Sequence, residues 1–348
     1  MEQAAIDWPA IRAAARRLEQ GGLVAFPTET VYGLGADAEN TAAIAAIYAA
    51  KGRPSNHPVI VHLAPGADIG YWAREVPPEA QRLMDLFWPG PLTLILRRAA
   101  HIPDAVSGGQ DTVGLRCPAH PVAQALLAEF REGRGGVAGP SANRFGHVSP
   151  TTAQHVRDEF PAGGPVDCIL DGGQSVVGIE STIIDLSRVA THGPVLLRPG
   201  QIGAARIGEA LGQAPRLPDA AAPRASGTLA AHYAPGTPVA LVQGAHVEPT
   251  LRSLAAGGKR AALMHYSDVF PAAAVGMPAL LASQRLPASA EGYAHALYGA
   301  LRAMDQARAD IILVETPPSG PDWQGINDRL RRAAHDSAGM LDSLIDGC

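Results

Sequence analysis

The 348 residues are 47% hydrophobic and only 18% charged, a balance that supports packed cores and excludes a disordered chain. The net charge of −5 divides into 17 basic against 21 acidic residues up to position 212 and 11 against 12 beyond it, so neither part has the basic excess of a dedicated nucleic-acid binder. No apolar run reaches the roughly 18 residues needed to span a bilayer, and the acidic start (residues 1–8) lacks the basic lead of a secretory signal. Cys117, Cys168 and Cys348 are too few and too scattered for a disulfide framework or a zinc site. A soluble, cytoplasmic protein of two domains is expected.

In chain order, the pattern predicts a helix from Ile11 to Gln20 stopped by Gly21-Gly22, then a short strand Leu23 to Phe26. Asn40 is placed to cap an alanine-rich helix, Thr41 to Ala50, that ends at Gly52 before Pro54. A strand Val59 to Leu63 follows, then a helix Glu79 to Phe87, a Trp88-Pro89-Gly90-Pro91 turn and strands Leu92 to Leu96 and Thr112 to Arg116. A helix Val122 to Phe130 and strands Ser181 to Leu186 and Val195 to Arg198 complete a mixed α/β part. Residues 213–238 hold five prolines and three successive alanines without periodicity, and read as a linker. Beyond it, strands Val239 to Val242, Ala261 to His265 and Ile311 to Val314 alternate with helices near Ala290 to Ala309 and Trp323 to Ala334. That is the pattern of a small three-layer α/β domain with some parallel sheet.

Familiar signatures are missing. There is no G-x-x-x-x-G-K-[ST], Gly33-Leu34-Gly35 is not completed to G-x-G-x-x-G, and neither G-x-S-x-G nor H-E-x-x-H occurs. Three polar segments stand out instead. Pro27 to Gly35 follows a strand, and offers either hydroxyls and close backbone approach to a ligand or a mere turn. Lys51-Gly52-Arg53-Pro54, with His57 and His62 nearby, carries two cations two residues apart, suited to a polyanion. Only two of the 28 basic residues, Lys51 and Lys259, are lysine, so the compact ammonium at 51 draws notice, although a solvated lysine at a helix end fits equally. His62 shares a strand face with Ile60 and reads equally as a core histidine. The third segment, Gly139 to Thr152, repeats small hydroxyl and amide side chains, with Ser149 or Thr151 also able to cap the next helix.

In order, the motifs P-T-E-T-V-Y-G-L-G, K-G-R-P with P-V-I-V-H, W-P-G-P-L-T, G-L-R-C-P, P-S-A-N-R-F-G with S-P-T, G-I-E-S-T and L-R-P-G resemble the Sua5/YrdC/YciO family of threonylcarbamoyl-AMP synthases. The likeness covers about residues 8–212. It continues through Ser226-Gly227-Thr228 and Ala231-His232-Tyr233-Ala234-Pro235, similar to the linker of the long, Sua5-type members.

The resemblance implies a YrdC-like catalytic domain over 1–212, a twisted α/β sheet with a large concave cleft. A linker at 213–238 would close over that cleft, and a Rossmann-like C-terminal domain would span 239–348. It implies adenylyl transfer: L-threonine, bicarbonate and ATP give L-threonylcarbamoyladenylate, diphosphate and water, with CO2 as the alternative carbon source. The product would be handed to the tRNA threonylcarbamoyl-transferase complex for N6-threonylcarbamoyladenosine at tRNA position 37. Mg2+ is expected to arrive on the ATP phosphates, with no protein metal site, no membrane and no strong direct nucleic-acid binding.

By position, Lys51, Arg53, Ser141 and Asn143 match the family's catalytic tetrad. Thr30, His62, Arg116, Gly139 and Ser181 match its threonine positions, with Arg116 facing the carboxylate. Arg53, His57, Thr112, Ser141, Ser149, Arg198 and His232 or Tyr233 match nucleotide contacts. His57 departs from the usual asparagine of the pattern. The rival reading is a double-stranded-RNA-binding or ribosome-maturation factor using the same cleft, which the acidic balance of both parts disfavours.

Overall fold

The computed structural model describes residues 6–166, 168–268 and 277–346. Residues 1–5 and Cys348, on which part of the reading above rests, lie outside them.

Helix α1 (Trp8–Glu19) begins three residues earlier than its apolar spacing indicates. Asp7 Oδ1 accepts the Ala10 N–H at 3.0 Å, and proline occupies the first turn, where its missing N–H costs nothing. After β1 (Val24–Phe26) the chain turns through 27–32 into β2 (Gly33–Asp37). The segment Pro27 to Gly35, read above as either a ligand loop or a turn, is therefore irregular only to Tyr32. Its glycines serve packing: a Cβ on Gly33 would come within 3.0 Å of the Phe26 ring, and one on Gly35 within 2.8 Å of Val137 Cγ1. Helix α2 (Thr41–Lys51) and strand β3 (Ile60–Leu63) follow the expected positions.

Then come α3 (Ile69–Trp72), α4 (Pro78–Phe87), β4 (Leu92–Arg97), β5 (Thr112–Arg116), α5 (Pro121–Glu129), β6 (Gly136–Ala138) and α6 (Ala153–Glu159). Neither Ser149 nor Thr151 caps α6; Thr152 does, its hydroxyl accepting the His155 N–H at 3.2 Å. β7 (Thr182–Asp185), α7 (Val189–His192), β8 (Val195–Arg198) and α8 (Ala204–Leu211) end the run.

These strands form one eight-stranded sheet in the order β1-β2-β6-β3-β5-β4-β7-β8. Alternation along β1 sends Val24 and Phe26 to a core with α1 and α5, and Ala25 to a second core with Ile44 and Ile47 of α2 and Leu83 of α4. Register fixes the face that matters for function. Ile60 pairs with Gly114, His62 with Arg116, Ile95 with Gly114 and Ile183 with Arg198. By period two, His62, Thr112, Arg116, Thr93 and Arg198 share one face with Ile60, Ile95 and Ile183. Ala222 and Ala225 of the proline-rich segment pack on that isoleucine cluster.

The chain resolves into two compact units. One comprises residues up to Phe145 together with Ser149–Thr228, and the other Gly146–Val148 with Leu229 onward. Segment 213–238 contains no named helix or strand, and it divides between the units at Thr228. The second unit has a four-stranded sheet, β11 (Leu280–Arg285), β10 (Ala261–His265), β12 (Ile311–Glu315) and β9 (Val239–Val242) in that order, parallel throughout. Helices α9 (Gly244–Ala256), α10 (Ala290–Gln306), α11 (Gln324–Ala333) and α12 (Met340–Asp346) accompany it. β11 and α9 escape the sequence pattern because β11 alternates half-buried with exposed residues and α9 carries Pro249. No helix among the described residues is long and apolar enough to cross a membrane.

Candidate active site

Helix α2 is built to deliver its last residue. Asn40 Oδ1 accepts the N–H groups of Ala42 and Ala43 at 3.0 and 3.1 Å. Gly52 closes the other end in the left-handed conformation, φ 63°. Lys51 is buried, not solvated. Its Nζ donates to the carbonyl oxygen of Ser141 at 2.6 Å and to that of Asn143. The loop it grips is held further by the Arg144 N–H on Glu159 Oε2 at 3.0 Å and by Asn143 Nδ2 on the Arg144 carbonyl at 2.7 Å. Burial, then the Arg53 guanidinium, draws the ammonium well below its ordinary pKa, with Glu159 opposing.

Arg53, two residues on, donates from Nη2 to the Pro58 carbonyl at 2.7 Å and to Ser226 Oγ at 3.3 Å. The Ser226 hydroxyl donates to the same Pro58 carbonyl at 2.8 Å. The Ser226 carbonyl in turn accepts Arg198 Nη1 at 2.8 Å. Arg198 also donates from Nε and Nη2 to the Ser181 carbonyl at 3.0 and 2.9 Å, and Nη2 lies 3.1 Å from Ser181 Oγ. Ser181 Oγ lies 2.8 Å from Thr93 Oγ1. The His57 ring meets Phe145 edge-on at 5.5 Å, and desolvation followed by Arg53 and Arg224 keeps it below its ordinary pKa.

Beside this cationic group, β3 and β5 bring His62 and Arg116 into register. His62 is buried and neutral: burial and the Arg116 charge push its pKa down to about 3. Among the described residues its Nδ1 has no hydrogen-bond partner. A Cβ on Gly139 would lie 2.9 Å from that nitrogen, so only glycine leaves the space beside it. Thr28 donates its hydroxyl proton to the Val31 carbonyl at 2.6 Å, so the 2.8 Å contact with Thr30 is donated by the Thr30 hydroxyl. Arg116 donates from Nε to the Gly90 carbonyl at 3.3 Å and from Nη2 to Glu29 Oε1 at 2.6 Å. Ser149 donates to Glu180 Oε1 at 2.6 Å, and Thr112 is buried on the same sheet face.

Thirteen of the sequence-derived site residues therefore lie in the first unit. His232 and Tyr233 belong to the second, where their rings meet edge-on at 4.1 Å and Arg329 lies 5.5 Å over Tyr233. Glu29, Thr93, Glu180 and Ser226 were missed as site residues. Each stands inside a quoted motif, but a carboxylate or hydroxyl that holds another side chain has no spacing signature.

The arrangement offers cations and hydroxyls around a buried sheet face, with no acid–base pair aimed at a side-chain nucleophile among the described residues. A family model described as telomere recombination, for Sua5, YciO and YrdC, matches residues 16–200, and the threonylcarbamoyl-AMP synthase C-terminal domain model matches 198–335. The chain is similar to threonylcarbamoyl-AMP synthase of Pyrococcus abyssi, 38% identical over 341 residues and 94% of each chain. It is also similar to that of Bacillus subtilis, 39% identical over 336 residues, 94% of this chain and 93% of the other. Among solved structures, P. abyssi Sua5 complexed with L-threonine aligns with TM-score 0.85 and 36% identity over 95% of each chain.

Proposed function

Since the chain belongs to the Sua5/YrdC/YciO family and is of its long Sua5 type, we propose that the face described above is where its chemistry takes place. The activity is synthesis of L-threonylcarbamoyladenylate from L-threonine, bicarbonate and ATP, with release of diphosphate and water, the first step toward tRNA N6-threonylcarbamoyladenosine. The observation that carries the assignment of the site is the clamp of Lys51 on Ser141 and Asn143, which joins residues ninety positions apart in one anion-suited group.

In this reading the threonine carboxylate meets Arg116. Neutral His62 and the Thr30 oxygen supply acceptors for the substrate's amine and hydroxyl hydrogens, and Gly139 supplies room for its backbone side. The amine gives up a proton to solvent and attacks CO2, or bicarbonate with loss of water, and an oxygen of the resulting carbamate attacks the α-phosphate of ATP and displaces diphosphate. Lys51, Arg53 and Arg198 offset the charge that gathers there, so positioning and electrostatics supply the rate. His57, Thr112, Ser149 and Ser181 complete the hydroxyl and imidazole contacts to nucleotide and threonine. His232 and Tyr233 are assigned to the nucleotide by the linker motif alone.

Mg2+ is proposed to arrive on the ATP phosphates. When bound it neutralises their charge. The product is a labile mixed anhydride, and its hand-over to the tRNA threonylcarbamoyl-transferase complex is part of this proposal. The test is diphosphate release from ATP with threonine, bicarbonate, both or neither. Release only with both is expected, and release that ignores threonine overturns the assignment.

A further inference from the structure

Glu29 is a buried carboxylate to which the reaction assigns nothing. Its Oε1 takes Arg116 Nη2 at 2.6 Å and its Oε2 takes the Ala119 N–H at 3.0 Å. The ion pair is almost wholly removed from water, with side chains 4% and 6% exposed. Two Arg116 donors are thereby committed, Nε to Gly90 and Nη2 to Glu29, and among the described residues neither bond uses Nη1, which leaves that edge of the fork for a ligand. A carboxylate so close to an arginine that must bind a carboxylate weakens the attraction it is meant to provide. The other titratable groups around the pair do not restore it. His62 is neutral. Burial keeps His120 below its ordinary pKa against the opposing Glu29 charge. Burial, with Glu29, pushes the Cys117 thiol up to about 11. Glu29 and Arg116 together are therefore a locally neutral pair.

We infer that Glu29 sets substrate class: by neutralising Arg116 while fixing its fork, it makes the pocket accept zwitterionic amino acids and reject hydroxy acids that carry only the carboxylate. A zwitterion brings its own compensating charge into a low-dielectric site, whereas a simple anion leaves one charge unbalanced there. Glu29 acts through Arg116 and is a positioning residue; the inference rests on the reading that Arg116 takes the threonine carboxylate.

The probe is (R)-3-hydroxybutyrate, which is threonine without its ammonium, compared with L-threonine by calorimetric binding to the full chain. Wild-type protein is expected to favour threonine by about a hundredfold or more. Glu29→Gln should weaken threonine and improve the hydroxy acid, narrowing the gap by roughly ten- to a hundred-fold. Glu29→Asp, which keeps the charge, should keep the gap even where both ligands bind more weakly. An unchanged gap in Glu29→Gln overturns the inference. If that variant does not fold, a gap that collapses in Glu29→Asp, or equal affinities for the wild type, overturns it. Failure of wild-type protein to bind threonine at all would instead refute the assignment of Arg116.

Discussion

Lys51 stands where the C-terminus of α2 meets the 141–144 loop, and its position gives it two duties. Its ammonium is suited to phosphate, and its Nζ already satisfies two loop carbonyls. Lys51→Ala is therefore expected to do more than remove a charge. Leaving buried carbonyls unpaired should cost roughly 2–4 kcal/mol of stability, read by urea unfolding, alongside at least a hundred-fold loss of diphosphate release. Unchanged stability would show that the clamp is incidental. His62 gives a second test at this scale. Its folded-state pKa of about 3 lies below the unfolded value near 6.5, so the unfolded chain binds the proton more readily between these values. Stability is full above about pH 6.5 and falls as pH drops toward 3, by about 1.4 kcal/mol per unit. His62→Gln, which cannot titrate, should flatten that acid limb in thermal melts across pH 7 to 4; an identical limb would refute the burial of a neutral imidazole. The lysine was legible because arginine is otherwise the default in this chain. What it touches was not, since the contact is to backbone ninety residues away.

At the scale of elements, α2 is the lever that carries Lys51, and its two caps are local chemistry that the sequence states openly. Asn40→Ala should cost about 1 kcal/mol in chemical denaturation while leaving the Michaelis constants for ATP and threonine within about twofold, because the cap lies at the end of the helix remote from Lys51. A large change in ATP affinity would mean that the helix is not a rigid carrier. Helices α2 and α10 were readable for the same reason: composition and caps agree with the tertiary result. β2 and β6 were not. Each is short and glycine- or alanine-rich, and it becomes a strand because neighbours supply hydrogen-bond partners and Phe26 and Val137 need the space. β3, β5 and β8 could be read as strands, but that His62, Arg116 and Arg198 share a face required the register between them.

For the molecule as a whole, the consequential feature is that the proline-rich segment is not a uniform tether. Its first part is bound into the first unit at several places, among them the Arg188–Asp219 ion pair at 2.9 Å. The Arg216 N–H and carbonyl pair with the Pro194 carbonyl and the Leu196 N–H at 2.8 and 2.9 Å, beside β8. Arg224 exchanges two hydrogen bonds with the Gln110 side chain, at 2.7 and 3.1 Å. Ser226 bridges Arg53 and Arg198. Ala222 and Ala225 cover the isoleucine cluster at the same time. Two truncations should consequently behave differently although both discard the parallel-sheet unit. A fragment ending at Thr228 keeps all of these contacts. One ending at Gly212 exposes Ile60, Ile95 and Ile183 and removes the Ser226 partner from two buried arginines, a loss of roughly 2–4 kcal/mol. The shorter fragment is expected to melt about 5–10 °C lower and to gain surface hydrophobicity measurable by dye binding. Equal melting temperatures would mean that the segment up to 228 adds nothing to the first unit, and that the arginine pair is ordered without it.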